Sequence, residues 1–346
     1  MRDIVLVSFT RLDANGGVPR WNRDFIAGFP GTRHYSYEDF VNNAGTMSDN
    51  IPTEWSAAAG LNMWLHRAKK VKKDDIIISD GFWGEGLSSL GYNVISVAHG
   101  IWSHLTKEDV DVGRQPEFPV HHAVQVKHRH DHLSRGGKIV AVSRFIQEQM
   151  GLQWGFESSV INNAVDLDEF TPNVPRMIVT RPLVIHGVTT SNKGFDHIKK
   201  VKEALEDRVE VLLLDDAARE LGMGKYQALA HADLVVQPSA FEGNSYFVLE
   251  TLACDVPIVA YDVGLLHSIS TISRENGIQA CVGAVIDRKY RSPEETAKVS
   301  SFILDSVRRD RSVYNPREVA KLFSIQRFHQ EWKRYLEDYE RRLESR

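Results

Sequence analysis

At 346 residues the chain is long for one hydrophobic core and comfortable for two domains. Its 42 basic residues against 46 acidic ones leave a net charge of −4, so no global pull draws it to nucleic acid or to an anionic membrane. Two cysteines, Cys254 and Cys281, exclude a disulfide framework and a cysteine-built zinc site.

The opening Met1-Arg2-Asp3-Ile4 carries no apolar export region, and no segment reads as a spanning helix. The expectation is a cytoplasmic protein. Ile4 to Phe9 reads as a first buried strand, followed by the flexible turn Asn15-Gly16-Gly17 and by Pro19, which suits the first position of a helix. Backbone without side chains at Gly16 and Gly17 lets a ligand approach closely, although a Gly-Gly turn is also an ordinary loop.

Ala57 to Lys70 reads as an amphipathic helix that runs out into Arg67, Lys69, Lys70, Lys72 and Lys73. Basic residues there suit the carbonyl end of a helix; the functional alternative is a docking surface for an anionic membrane or DNA. Ile76 to Ile78 is the next strand, and Val94 to Ala98 another, with His99 at its carboxyl end, where open α/β sheets carry ligand sites. A capped structural histidine is the plain alternative. The cluster His121, His122, His128, His130 and His132, with Lys127, Arg129, Arg135 and Lys138, lacks the acidic or thiol partners of a metal site and reads as a solvated helix. Lys138 to Ser143 is a strand, with Ser143 the N-cap of a helix through Met150.

Asn173 to Arg181, polar and with two prolines, is a hinge candidate. Leu183 to Gly187 opens a second sheet and leads to Lys193-Gly194, a strand-to-helix turn that could offer amides and an ammonium to a phosphate. Val209 to Leu214 is a strand, and Asp215-Asp216 after it reads as a surface turn rather than a magnesium site. Gly283 to Ile286 and a helix from Pro293 to Val307 follow. Phe328, Trp332, Tyr335 and Tyr339 then fall on one helical stripe, a packing surface.

The most informative stretch lies between two short apolar runs, Leu234 to Val236 and Pro257 to Ala260. It reads strand, loop, helix, strand, a parallel crossover. Gly243, Asn244 and Ser245 open the helix, so free amides and the positive dipole end form an anion site. Glu242 stands at its mouth, and Glu250 follows Gly243 by seven residues, about two turns. Carboxylates accept well from hydroxyl groups. Phosphate beside many hydroxyls suggests a sugar nucleotide; a capped surface helix is the alternative that periodicity alone allows.

With its flanking Pro-Ser and Pro-Ile-Val-Ala, this stretch resembles the Glu-x7-Glu element of retaining GT-B glycosyltransferases of the family-four group. Other segments resemble the same family in order: the Gly-Gly loop, His99, Val160 to Pro172 and Lys193-Gly194. The resemblance implies an α/β GT-B fold: two Rossmann-like domains facing across a cleft, with a C-terminal helix crossing back to the first. The implied boundaries are 1–172 for the acceptor side, 173–324 for the nucleotide-sugar side and 325–346 for the helix. By resemblance His99, Lys193 and Glu242 are the catalytic residues. Gly16, Gly17, Lys193, Gly243, Asn244, Ser245 and Glu250 bind the donor, with Glu242 on the sugar hydroxyls and Glu250 on the ribose. No metal or other cofactor is implied.

The implied activity is hexosyltransferase-type: transfer from a nucleotide sugar (UDP-linked, with GDP-linked the other candidate) to a glycan or lipid-linked glycan hydroxyl. Phage-type glycosylation of 5-hydroxymethyl bases in DNA and non-catalytic sugar-nucleotide binding are the alternatives, and the two basic patches would serve peripheral contact with membrane or DNA. Three departures bear on the family pattern. Ala164 stands where it has Gly, Val188 where it has a phosphate-binding Arg, and the span from Asp215 to Leu234 is short by about one strand and turn, which helps grip the base.

Overall fold

A computed structural model describes residues 2–44, 54–101, 119–174, 180–187, 193–287 and 296–345, without the side chains of 43, 44, 119–124 and 206. The chain divides into two units. The first comprises the residues up to Asn162 together with those from Phe328 onward; the second is Asn163–Arg327.

In the first unit six strands, β1 (Ile4–Ser8), β2 (Arg33–Ser36), β3 (Ile76–Asp80), β4 (Asn93–Ala98), β5 (Lys138–Ala141) and β6 (Ser159–Val160), pair in the order β2-β1-β3-β4-β5-β6. Every pairing is parallel. Helices cover both faces of such a sheet, which is why β1 and β3 are buried throughout and read as unbroken apolar runs. The order reverses at β1, with β2 on one side and β3 on the other, so ligands are expected at the carboxyl ends of β1 and β3.

The helix Ile325–Glu344 belongs to this unit from Phe328 onward, and Phe328, Trp332 and Tyr339 are buried. Trp332 meets Trp21 and Phe25 edge-on, at 5.7 and 5.1 Å. Those two rings belong to the helix Gly17–Gly28, which opens at the Gly-Gly turn. His329 Nε2 sits 2.7 Å from the carbonyl of Asp24, and its ring passes so close to Gly28 that a Cβ there would stand 2.3 Å away.

The second unit holds β7 (Leu183–His186), β8 (Glu210–Leu213), β9 (Leu234–Gln237), β10 (Ile258–Tyr261) and β11 (Gly283–Ile286), in the order β11-β10-β9-β7-β8 and again parallel. Alternate residues feed two cores. Leu183, Ile185, Val235, Ile258 and Ala260 face one, with Leu249 and Leu252, while Val184, Leu234, Val236, Val259 and Tyr261 face the other, with Ile198 and Ile303. Here the reversal lies at β7, between β8 and β9.

Several expected elements shift. The helix expected over Ala57–Lys70 spans Glu54–Arg67 and ends because Lys69 turns left-handed, at φ 52°. Its basic run lies in the turn beyond, where Lys72 pairs with Asp3 and Lys73 lies over the ring of Tyr92. The histidine-rich segment forms the helix Pro119–Ser134, but Gln125, Arg129 and His132 are buried, so it is not a solvated helix. Asp215-Asp216 is no surface turn. It opens the helix Leu214–Leu221, where carboxylates suit the dipole, and pairs with Lys225 and Arg219. Between β8 and β9 lie the helices Leu214–Leu221 and Lys225–His231 and no strand. The middle of the hinge candidate, residues 175–179, and the start of the helix expected from Pro293 lie outside the described residues.

Candidate functional site in the second unit and a histidine pocket in the first

At the β7/β9 switch point two loops leave neighbouring strand ends. The loop after β7 carries Lys193, the loop after β9 carries Glu242, and Lys193 Nζ lies 2.8 Å from Glu242 Oε1. The carboxylate is 12% exposed and the ammonium 41%, so the pair opens to solvent on the lysine side. Gln237, the last residue of β9, donates from Nε2 to Glu242 Oε1 at 3.0 Å and to Ser239 Oγ at 2.8 Å. One carboxylate oxygen thus answers two donors, which fixes its direction.

Two glycines allow the loops to nest. At Gly194, with φ +91°, a Cβ would stand 2.3 Å from the carbonyl oxygen of Pro238. At Gly264, with φ +57°, it would stand 3.0 Å from Glu242 Cβ. Both positions lie in the left-handed region that favours glycine. The helix Tyr246–Ala253 begins just beyond, with Ser245 as N-cap accepting from the Val248 amide. The preceding Asn244 carbonyl accepts from Asn163 Nδ2 at 2.8 Å. Asn163 is held in turn because Val165 pairs with the Phe323–Ile325 backbone. Ala164 is buried and is not among the left-handed residues, so the family's glycine is not required here for its φ. Glu250 is half-buried in the helix, and its charge joins burial in pushing the Cys254 thiol up to about 12.

The structure therefore gathers Lys193, Glu242, Gly243, Asn244 and Ser245 around one switch point, an ammonium and a carboxylate beside the amide end of a helix. Such a set can neutralise a phosphate and accept from hydroxyls. Sequence reasoning missed Gln237, Ser239 and Gly264. A polar residue closing an apolar strand was the available signal for Gln237. Val188 lies outside the described residues.

Gly16, Gly17 and His99 belong to the first unit. Gly16 caps the helix Gly17–Gly28 with φ 128°, and both glycines are exposed. His99 follows β4, with Nε2 3.3 Å from Oδ1 of Asp80, the last residue of β3. Trp21 presents its ring edge-on at 5.3 Å. Burial, and then the charge of Arg129, drives His99 down to about 3, while burial raises Asp80 to about 7 against a hydrogen bond donated by the Phe9 backbone amide. Both groups thus favour their neutral forms.

Arg129 itself is buried against Glu85, at 3.7 Å, and Glu85 accepts from Ser96 Oγ at 2.5 Å. His128 lies on the ring of Trp55, and His132 Nε2 meets the Lys138 carbonyl at 3.0 Å. Among the described residues no group of three or more His, Cys, Asp or Glu side chains gathers in a metal-ligating cluster. The side chains of His121 and His122 lie outside the description.

Two parallel-sheet Rossmann-like units, each with its order reversing at its own first strand, define the GT-B class of fold. Residues 138–288 match the family described as Glycosyl transferases group 1. A putative teichuronic acid biosynthesis glycosyltransferase, TuaC of Bacillus subtilis (strain 168), is 28% identical over 155 residues, which are 38% of this chain and 40% of that protein. Among solved structures, sucrose-phosphate synthase from Thermosynechococcus elongatus matches over 98% of this chain and 99% of its own, with a TM-score of 0.70 and 14% identity. Anabaena HepE in complex with UDP matches over 97% and 100%, with a TM-score of 0.67 and 14% identity. At that identity the structures speak for the fold. No described helix is long and apolar enough to cross a membrane.

Proposed function

We propose that this chain is a retaining glycosyltransferase that moves a hexose from a UDP-sugar to a hydroxyl of a glycan or lipid-linked glycan. The observation that carries the reading is the Lys193–Glu242 pair, 2.8 Å across, beside the amide end of the helix capped by Ser245. Glu242 would accept from the hydroxyls of the transferred sugar and Glu250 from the ribose. Lys193 and the Gly243 to Ser245 amides would face the diphosphate, whose negative charge grows as the glycosidic bond breaks. His99, Gly16 and Gly17 are assigned to the donor from the first unit.

The transition state is oxocarbenium-like. The acceptor oxygen bonds to the anomeric carbon on the face from which the phosphate departs, and the leaving phosphate oxygen takes the acceptor's proton. No protein carboxylate is asked to act as nucleophile or base, unlike the paired acids of a glycoside hydrolase. Nothing in the step calls for a metal, and activated donors of this kind are expected in the cytoplasm. UDP is preferred to GDP because HepE, of the same fold, has been solved with UDP and with UDP-glucose.

A polyanionic acceptor such as DNA draws little support from the basic runs, since Lys72, Lys73 and Lys127 are engaged with Asp3, Tyr92 and Asp131. The test is incubation with UDP-, GDP- and ADP-sugars, with and without glycan acceptors, reading free nucleoside diphosphate. Release of UDP that disappears in Glu242→Gln and Lys193→Ala is expected. Tight binding without turnover under any of these conditions would replace the enzyme with a sugar-nucleotide sensor.

A further inference from the structure

We infer that Asp80 is a positioning residue for His99: its carboxylate holds the imidazole as the Nε2–H tautomer, turning Nδ1 out as a hydrogen-bond acceptor for a ligand hydroxyl. The inference rests on the assignment of His99 to the donor sugar and adds how that ring is oriented. Asp80 ends β3 and His99 follows β4, its parallel neighbour, with Asp80 in register with Val97. The sheet itself therefore sets the two side chains together. Asp80 is 5% exposed, and the Phe9 amide donates to its carboxyl, so it is held from the β1 side as well.

The two ring nitrogens of His99 have different surroundings. Nε2 is buried, makes no hydrogen bond among the described residues, and faces Asp80 Oδ1 at 3.3 Å. Once ionised, the Asp80 carboxylate can only accept, so across that contact the proton belongs on Nε2. Nδ1 is not among the buried unsatisfied atoms and bonds no described residue. It is left as the acceptor. Trp21, itself fully buried and backed by Phe25 and Trp332, blocks the ring from swinging away. A neutral imidazole so fixed discriminates a sugar hydroxyl, which donates to it, from a group that can only accept.

The first measurement needs no substrate: nitrogen NMR of 15N-histidine-labelled protein at about pH 8, above the raised value of the Asp80 carboxyl. Wild-type His99 is expected as Nε2–H, and Asp80→Leu, which buries Nε2 without an acceptor, is expected to move the population towards Nδ1–H. The second measurement is a double-mutant cycle on UDP release. Asp80→Leu is expected to lower kcat about tenfold in the wild-type background and to cost nothing further in His99→Ala. A wild-type ring protonated at Nδ1 overturns the inference, as does an equal loss in both backgrounds, which would mean a merely structural role. Absence of turnover with every donor counts against the enzyme reading instead, and leaves the tautomer result to stand or fall by itself.

Discussion

Gly194 lies directly beneath Pro238: a side-chain carbon on Gly194 would come within 2.3 Å of the Pro238 carbonyl oxygen, at a φ of +91°. This close approach brings the Lys193 loop against the Glu242 loop, since Ser239 Oγ, one residue beyond, reaches the Lys193 carbonyl at 3.5 Å. Gly194→Ala should therefore cost about 1–3 kcal/mol from backbone conformation alone, with more from displacing Pro238. The expected outcome is a lowered denaturant midpoint together with weakened UDP-sugar binding. Wild-type values for both would refute the nesting of the loops.

Lys193 and Glu242 should separate function from stability. Their ion pair reaches solvent on the lysine side, so its loss should change unfolding free energy by less than about 1 kcal/mol. If Lys193 stabilises the departing diphosphate, Lys193→Ala should lower kcat by about 10²–10³. Thermal unfolding and initial rates on the same samples make the comparison. A large loss of stability with a small loss of rate would make the pair structural.

Glu85 and Arg129 make the opposite case. Their side chains are 0% and 2% exposed, and Arg129 pairs the helix Pro119–Ser134 with Glu85, which Ser96 of β4 holds in turn. Arg129→Met strands a buried carboxylate and should destabilise by about 3–5 kcal/mol. Adding Glu85→Gln should restore much of that loss, because the uncompensated charge goes with it. Equilibrium urea unfolding of the three variants checks this; a double variant no better than Arg129→Met would contradict it.

Asp80 and His99 predict a particular dependence on pH. The Asp80 carboxyl rises from 3.8 to about 7 on folding, so its contribution to stability is full at low pH and is lost as pH rises through 7. His99 falls from 6.5 to about 3, so its contribution is full above 6.5 and is lost as pH falls towards 3. Between about pH 4 and 6.5 the two slopes oppose one another. His99→Gln should then gain relative stability on acidification, and Asp80→Leu should lose it. Unfolding midpoints across that range read the sign, and parallel curves for the two variants would show that the groups do not titrate as assigned.

Much of the architecture was legible because parallel strands covered on both faces are unbroken apolar runs. Ile4–Ser8, Ile76–Asp80, Leu234–Gln237 and Ile258–Tyr261 announce themselves in this way. The edge strand Arg33–Ser36 does not, since it is only half-buried and its Arg-His-Tyr-Ser sequence has no apolar signal. Glu242 and Lys193 were singled out by family resemblance, and the structure brings the two side chains together. The Asp80–His99 pairing was not legible, because it depends on which strands become neighbours, a property of the sheet rather than of either segment. The helix Pro119–Ser134 misled through composition: Gln125, Arg129 and His132 look solvated in the sequence, yet all three are buried, Arg129 against Glu85 and His132 against the Lys138 carbonyl.

The aromatic seam between Trp332 and the Trp21–Phe25 pair has a consequence for biosynthesis. The first unit is assembled from segments separated by the whole of the second, so on the ribosome its early strands emerge long before the helix that covers Trp21. Until residues from Phe328 onward are released, that apolar patch stays open to water and to chaperones, while the second unit has all its own residues already in hand. A released chain ending at Arg327 should therefore display a protease-resistant second unit and a first unit still open to cleavage.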